Sequence, residues 1–368
     1  MSLFDIISHN IIALGFFMGI LVALLVLSAL IFFHELGHFL AARFFGVHVE
    51  VFSIGFGKRL WHRQIGDTQW QLSAIPLGGY VKMKGQDDTN PLLHIQESDS
   101  YNSKKPWQRI IILLAGPFAN FLMAFLLYLA IAYMGVPKLL SYVGSVQKES
   151  PALMAGLQKS DHIVAINGHP VRYWEEISPY INHSQGALSL EIEREGAYKR
   201  LLLEPKMISD TNLFGEEIQR KVIGISPLLK QTTVVYGFVE GFGYAWEETK
   251  KSSLLIFQSI QKLLSGVVSA DKVGGVITIV DVTSKASSAG ILSLLFFTAL
   301  ISVNLGVLNL MPIPALDGGH IMFNLYEMVR GKAPNEQAIY YLTLMGWALL
   351  LSLMLLGVYN DITRLWGN

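Results

Sequence analysis

In Phe32-Phe33-His34-Glu35-Leu36-Gly37-His38-Phe39, His34 to His38 follow a charge-free apolar run from Ile11 to Phe33, and the stretch falls inside the helix that this run predicts, from Ile11 to about Ala42. The run is long enough to cross a bilayer. Positions i and i+4 of a helix share a face, so His34 and His38 can offer two imidazoles to one zinc ion while Glu35 stands beside it. A carboxylate in that place can take a proton from attacking water and pass it to a leaving amine, which is the acid–base work of peptide hydrolysis. The competing reading is a chance HExxH in a chain with 10 histidines. Burial weighs against chance: a charged residue at the centre of a membrane helix costs about 2.5 to 3.5 kcal/mol on insertion scales, so ionisable groups there are functional candidates.

Composition agrees with a membrane protein. The 368 residues are 52% hydrophobic and only 15% charged, with a mean hydropathy of +0.42, whereas a soluble chain carries about a quarter charged residues. With 28 basic and 28 acidic residues, nothing points to nucleic acid as a partner. The chain has no cysteine, which excludes disulfides and thiolate ligands and leaves His, Asp and Glu to hold any metal. Met1 to Asn10 has no Lys or Arg, and no small-residue cleavage site follows the first run, so it reads as a retained span.

Three further runs are long enough to cross: Ile110 to Gly135, Gly290 to Met311 and Ala338 to Tyr359. Basic residues concentrate in 43–109, among them Arg43, Lys104, Lys105 and Arg109, and in the third connection at Arg330 and Lys332. The positive-inside rule then places these loops in the cytoplasm and both termini outside, with the long segment 136–289 also outside. Arg43 at the cytoplasmic interface puts His34 roughly 13 Å deeper, in the cytoplasmic half of the bilayer.

The expected organisation is a first transmembrane helix with HExxH (1–46), a cytoplasmic membrane-associated β loop (47–109) and a second transmembrane helix (110–136). A β-rich domain (137–227) and an amphipathic or linking region (228–289) follow. A third transmembrane helix with its cytoplasmic connection (290–337) and a fourth with its tail (338–368) complete the chain. In the cytoplasmic loop, Val47, Val49 and Val51 alternate with His48 and Glu50, and Trp70, Leu72 and Ala74 with Gln71 and Ser73. A third short stretch, Tyr80 to Lys84, follows Pro76-Leu77-Gly78-Gly79. This sheet either merely links spans or offers an edge strand to a substrate whose helix has been unwound and whose amides need partners.

Outside, short β runs separated by turn residues, including Asp161 to Gly168, Leu188 to Ile192 and Arg200 to Leu203, have the order of a PDZ-like module. Such a module either binds a peptide end or edge, or acts as a spacer and steric cover. Residues 236–266 read as a helix that lies at the membrane surface or packs against the outer domain. Lys272 to Thr283, rich in Val, Ile and Gly, reads as a strand or a re-entrant turn.

The third span ends in Asn309-Leu310-Met311-Pro312-Ile313-Pro314-Ala315-Leu316-Asp317-Gly318-Gly319-His320, where two prolines must break the helix level with His34. Broken backbone at that depth has to be buried in protein or line a cavity. Asp317 is the natural third ligand, completing two His, one Asp and an open position, and His320 is its competitor.

These stretches, together with Pro76-Leu77-Gly78-Gly79-Tyr80-Val81 and Ala115-Gly116-Pro117-Phe118-Ala119-Asn120-Phe121, resemble the site-2 protease family, and more narrowly its bacterial PDZ-containing branch, the regulator-of-sigma-E protease type. The resemblance runs through nearly the whole chain in order. It implies a multi-pass α-helical membrane protein of four transmembrane helices, with a cytoplasmic membrane-associated β region and one extracytoplasmic PDZ-like β-rich domain. It also implies a zinc metalloprotease of the bacterial cytoplasmic (inner) membrane. Such an enzyme cleaves single-span proteins within the bilayer after another protease has trimmed them, anti-sigma factors and remnant signal peptides being typical substrates. Carried onto this chain, His34, His38 and Asp317 match the zinc ligands and Glu35 the catalytic glutamate. Asn309 matches a substrate-contacting asparagine, and the 47–84 loop, with Gly79 and Tyr80, matches the β region that receives substrate. The single PDZ-like domain would filter out substrates that still carry bulky outer domains. Two departures concern the outer region: Ser160 stands where many such domains have Gly, and Val273-Gly274-Gly275-Val276 where the branch often has a Gly-Pro pair.

Two other classes compete. A catalytically silent scaffold would have no reason to keep a buried carboxylate beside two histidines. A metal transporter would need inverted repeats or a polar path across the bilayer, and the sequence has neither.

Overall fold

The computed structural model describes residues 3–86 and 97–367. Residues 87–96 of the expected 47–109 loop, and Met1 and Ser2 of the N-terminal segment, lie outside the described residues. By their contacts, residues 1–131, 242–263 and 269–368 form one compact unit, and 132–241 with 264–268 form another.

Helix α1 runs from Leu3 to Phe44 and ends with Arg43 in its last turn. Strands β1 (Val49–Ile65) and β2 (Thr68–Met83) follow. Residues 51–54 have partners on two sides: Val51 faces Lys82 and Gln69, and Ile54 faces Gly79 and Leu72. Gln64 and Arg63 face Gln69 and Trp70 in turn. The three stretches expected here are all in the sheet, but the third continues β2, and a further segment, 58–65, joins as the arm of a hairpin closed at Gly66-Asp67. Phe52, fully buried, stacks on Trp70 at 4.3 Å between ring centres and meets Phe39 of α1 edge-on at 5.8 Å. Those rings fasten the sheet to the helix.

Helix α2 (Pro106–Met134) contains Pro117. It lies against α1 where side chains are missing: a Cβ at Gly37 would stand 2.2 Å from the Ala115 carbonyl oxygen, and one at Gly116 only 2.1 Å from His38 Nε2. Small residues let the two backbones approach.

The second unit carries ten strands. β3 (Val136–Leu139) pairs with β12 (Gln231–Val234), β4 (Val143–Val146) with β11 (Ile225–Pro227), and β9 (Lys206–Thr211) with β10 (Glu217–Val222). A four-stranded sheet of order β6-β5-β7-β8 combines His169–Pro170, His162–Ile166, Leu188–Arg194 and Ala197–Leu203. With the short helices α3 (Pro151–Met154) and α4 (Ile177–Asn182) it closes a core around Val143, Leu157, Ile163, Ile166, Leu190 and Ile192. The inward residues of β7 alternate, as one buried sheet face requires. Ser160 has φ of 72°, a left-handed backbone that favours glycine.

Helix α5 (Phe238–Leu264) packs on α2, with Tyr128 and Ser252 hydroxyls 2.8 Å apart and Phe125 against Phe242, while Trp246 and Phe257 stay exposed. The strand or re-entrant turn expected at Lys272 to Thr283 is instead a 3-10 turn at Ala270–Lys272 followed by helix α6 (Val276–Ser288). The cause is distant in sequence: the Asp361 carboxylate accepts from Gly275 N and Thr278 N, both at 3.0 Å, and from the Thr278 hydroxyl. A carboxylate there serves as a helix cap supplied by another element.

Helix α7 (Ile291–Asn309) stops at the expected break. Pro312 and Pro314 lack the N–H that would continue it, and the chain turns through bonds such as Ile313 N to Met311 O before α8 begins, Asp317–Arg330. A Cβ at Gly318 would stand 2.3 Å from the Met311 carbonyl oxygen, and one at Gly319 equally close to that of Ile313. The paired glycines let the start of α8 fold back onto the break. Helix α9 (Glu336–Trp366) carries the capping Asp361. Among the described residues, four helical stretches are long and apolar enough to cross a membrane: Phe17–Phe44, Pro106–Met134, Ile291–Asn309 and Glu336–Trp366. Leu351, Met354 and Leu355 of α9 are each more than half exposed, a cost in water that lipid removes.

Candidate metal centre

Successive turns of α1 present His34 and His38, with ring centres 4.8 Å apart and Nε2 atoms 3.2 Å apart. The break after α7 delivers Asp317 as the first residue of α8, and its Oδ2 lies 3.4 Å from both of those nitrogens. Ligand atoms of the three residues all lie within 4.8 Å of one another. Zinc bonds of about 2.0 to 2.2 Å in a tetrahedron separate neighbouring donors by about 3.3 to 3.6 Å, so these spacings suit the ion. Asp317 Oδ2 is buried and, among the described residues, has no hydrogen-bond donor. A carboxylate oxygen left in that condition is costly unless a cation meets it. Two nitrogen donors and one carboxylate with room for a fourth partner are the set a catalytic zinc uses.

Helix α2 backs both imidazoles. His38, 5% exposed, has Nδ1 at 2.8 Å from the Ile112 carbonyl, which can only accept, so Nδ1 carries the proton and the Nε2 lone pair of the neutral ring is turned to the cluster. His34 Nδ1 lies 3.1 Å from the side chain of Asn120, a fully buried residue. The Ser302 hydroxyl of α7 donates to the Asn120 carbonyl at 2.7 Å, tying the helix that leads to Asp317 to the helix behind the histidines. Farther out, Arg109 Nη2 meets Glu327 Oε1 at 2.7 Å and holds α8 to the start of α2.

A cavity of about 430 Å³ opens at the cluster, bordered by His34, Glu35, Asp317, Asn309 and Gly79. A Cβ on Gly79 would come within 3.1 Å of Glu35 Cγ, so β2 passes close beside that side chain. Of the residues singled out from the sequence, His34, His38 and Asp317 come together, and Glu35, Asn309 and Gly79 reach the same cavity. His320 also borders the cavity but is outside the three-residue cluster. Tyr80 points elsewhere: its hydroxyl accepts from Gln71 Nε2 at 3.0 Å and its ring stacks on Phe56. Sequence reasoning did not assign a role to Asn120, nor to Trp347 and Leu350 of α9, which form an apolar wall. A neutral amide in an apolar span was the available signal for Asn120.

The pattern of peptidase family M50 matches residues 22–353. A Campylobacter jejuni protein named "Putative zinc metalloprotease" is 48% identical over 348 residues, covering 95% of this chain and 94% of that one. A Helicobacter pylori protein of the same name is 44% identical, with 94% and 99% covered. One from Clostridium acetobutylicum is 34% identical, with 94% and 98% covered.

Proposed function

This chain belongs to peptidase family M50 and is a zinc metalloprotease, and on that premise we propose that it hydrolyses peptide bonds inside the membrane-spanning segments of single-span proteins. The observation that carries this reading is where the cluster falls in the chain: His34 and His38 lie within the apolar stretch Phe17–Phe44, Asp317 follows the break after the apolar helix Ile291–Asn309, and their cavity is bordered by Glu35, Asn309 and Gly79.

In this reading His34, His38 and Asp317 hold the zinc. When bound there, the ion supplies Lewis acidity, polarising the peptide carbonyl and bringing the ionisation of water into the neutral range. Glu35 accepts the proton of the attacking water on its carboxylate and returns it to the amide nitrogen as the C–N bond breaks. Asn309 offers its side-chain amide to the substrate backbone across the cavity. A membrane-spanning substrate is helical and its amides are satisfied internally, so a segment must be unwound before it can be cut. The β2 edge at Gly79 and Tyr80 would take up the freed amide groups by strand addition. The bare Gly79 is what lets β2 itself lie close beside Glu35.

The substrates are proteins already trimmed by another protease, of the anti-sigma factor or remnant signal peptide type, in regulated intramembrane proteolysis. The site lies in the cytoplasmic half of a bacterial inner membrane, with both termini and the β-rich unit outside. That unit, read as a PDZ-like domain, screens substrates by the size of what remains outside. The test is mass spectrometry of products from a single-span substrate with its outer domain removed. Termini inside the apolar segment support the reading. A cut confined to flanking polar sequence, or equal cleavage of the untrimmed protein, contradicts it.

A further inference from the structure

The two imidazoles of the cluster are backed unequally. His38 donates its Nδ1 proton to the Ile112 carbonyl, a group that can only accept. At His34 the neighbour is the Asn120 carboxamide, and its nitrogen end faces Nδ1 at 3.1 Å while its buried Oδ1 has no hydrogen-bond partner among the described residues. If His34 uses Nε2 on a metal, its neutral ring must carry the proton on Nδ1. Two donors would then face each other, next to an acceptor with nothing to accept. A 180° turn of the carboxamide exchanges its two ends in nearly the same volume. The turn places Oδ1 on Nδ1–H, and one unpaired amide end replaces a donor–donor clash plus an orphaned acceptor.

We propose that Asn120 is the positioning residue for His34, its Oδ1 accepting the imidazole Nδ1 proton and thereby fixing the ring with Nε2 toward the metal. The proposal rests on the zinc reading above and extends it to α2, a helix that supplies no ligand. The same helix then orients both histidines, Ile112 through its backbone and Asn120 through its side chain. Ser302 holds the Asn120 backbone in register by donating to its carbonyl at 2.7 Å. The acceptor role is specific: it needs an oxygen and no N–H.

The experiment measures the zinc dissociation constant by competition with a chromophoric chelator, using the full chain in detergent. Wild type is compared with Asn120→Ala, Asn120→Leu and Asn120→Asp, and the thermal unfolding of each is followed after chelation. Asn120→Ala and Asn120→Leu, the second matched in volume, should weaken zinc binding about 10- to 100-fold, the usual loss for an orienting partner of a metal ligand. Asn120→Asp should bind at least as tightly as wild type, because a carboxylate accepts the same proton. Unchanged affinity in Ala and Leu overturns the proposal. Equal weakening in Asp and Ala also overturns it, since the amide N–H would then be the working group. If unfolding temperature falls in Ala alone, the Leu and Asp pair decides. Failure of wild type to bind zinc would instead overturn the underlying zinc reading.

Discussion

Two aspartates with buried carboxylate oxygens show how this chain treats charge when the purpose differs. Asp161, in the β-rich unit, is 1% exposed and fully partnered: Arg194 reaches both its oxygens at 2.7 Å, and Gln158 N donates to Oδ2 at the same distance. Asp317, at the start of α8, has its Oδ2 buried with no donor among the described residues and faces two imidazole nitrogens at 3.4 Å. The first carboxylate is satisfied by the protein and acts as architecture. The second is left for something the protein binds. Burial alone therefore separates neither; the count of donors around the carboxylate does.

The sharpest way to break this contrast is to remove the carboxylate itself at Asp317 and the partner of the carboxylate at Asp161. Asp317→Ala should abolish zinc retention and reduce cleavage to background, with metal content read by elemental analysis, while His320→Ala keeps its zinc. Zinc lost in the second variant and kept in the first would exchange their roles. In the β-rich unit, Arg194→Ala strands the Asp161 carboxylate and should cost about 3 kcal/mol or more. Faster proteolysis within 132–241, with zinc content unchanged, is the expected result.

A third carboxylate, Asp361, lies between the two cases, because backbone and hydroxyl donors satisfy it. Asp361→Ala should cost about 1 to 3 kcal/mol, visible as faster hydrogen exchange at residues 275–279. Unaltered exchange there would mean that α6 does not depend on the cap. The smallest effect concerns Ser160, beside Asp161, whose φ of 72° is a left-handed conformation. Ser160→Gly should stabilise the β-rich unit by about 1 kcal/mol, read by denaturant unfolding, and destabilisation would show that the hydroxyl matters more than the strain.

The legible parts of the sequence were those governed by local rules. Hydropathy marked the helices apolar enough to span, the i,i+4 spacing paired His34 with His38, and Pro312 with Pro314 announced the break that delivers Asp317. The illegible parts depend on distant residues. Val276-Ile277-Thr278-Ile279-Val280 is rich in β-branched side chains and reads as a strand or a re-entrant turn, yet it is a helix that Asp361 caps. Residues 58–65 are largely exposed, and Lys58-Arg59-Leu60-Trp61-His62-Arg63 lacks alternation, so its pairing with β2 could not be read. Asn120 acquires meaning only where Gly37 and Gly116 let α1 and α2 approach. The Tyr80 side chain, next to Gly79 in β2, goes to Gln71 and Phe56, because successive strand residues point to opposite faces.

The most direct test of the central claim is to purify wild type and Glu35→Gln side by side in detergent, incubate both with a trimmed single-span substrate, and determine zinc on both. The account predicts cleavage by wild type alone and zinc in both, because the change removes the proton acceptor and no ligand. Turnover by Glu35→Gln at the wild-type rate would contradict it.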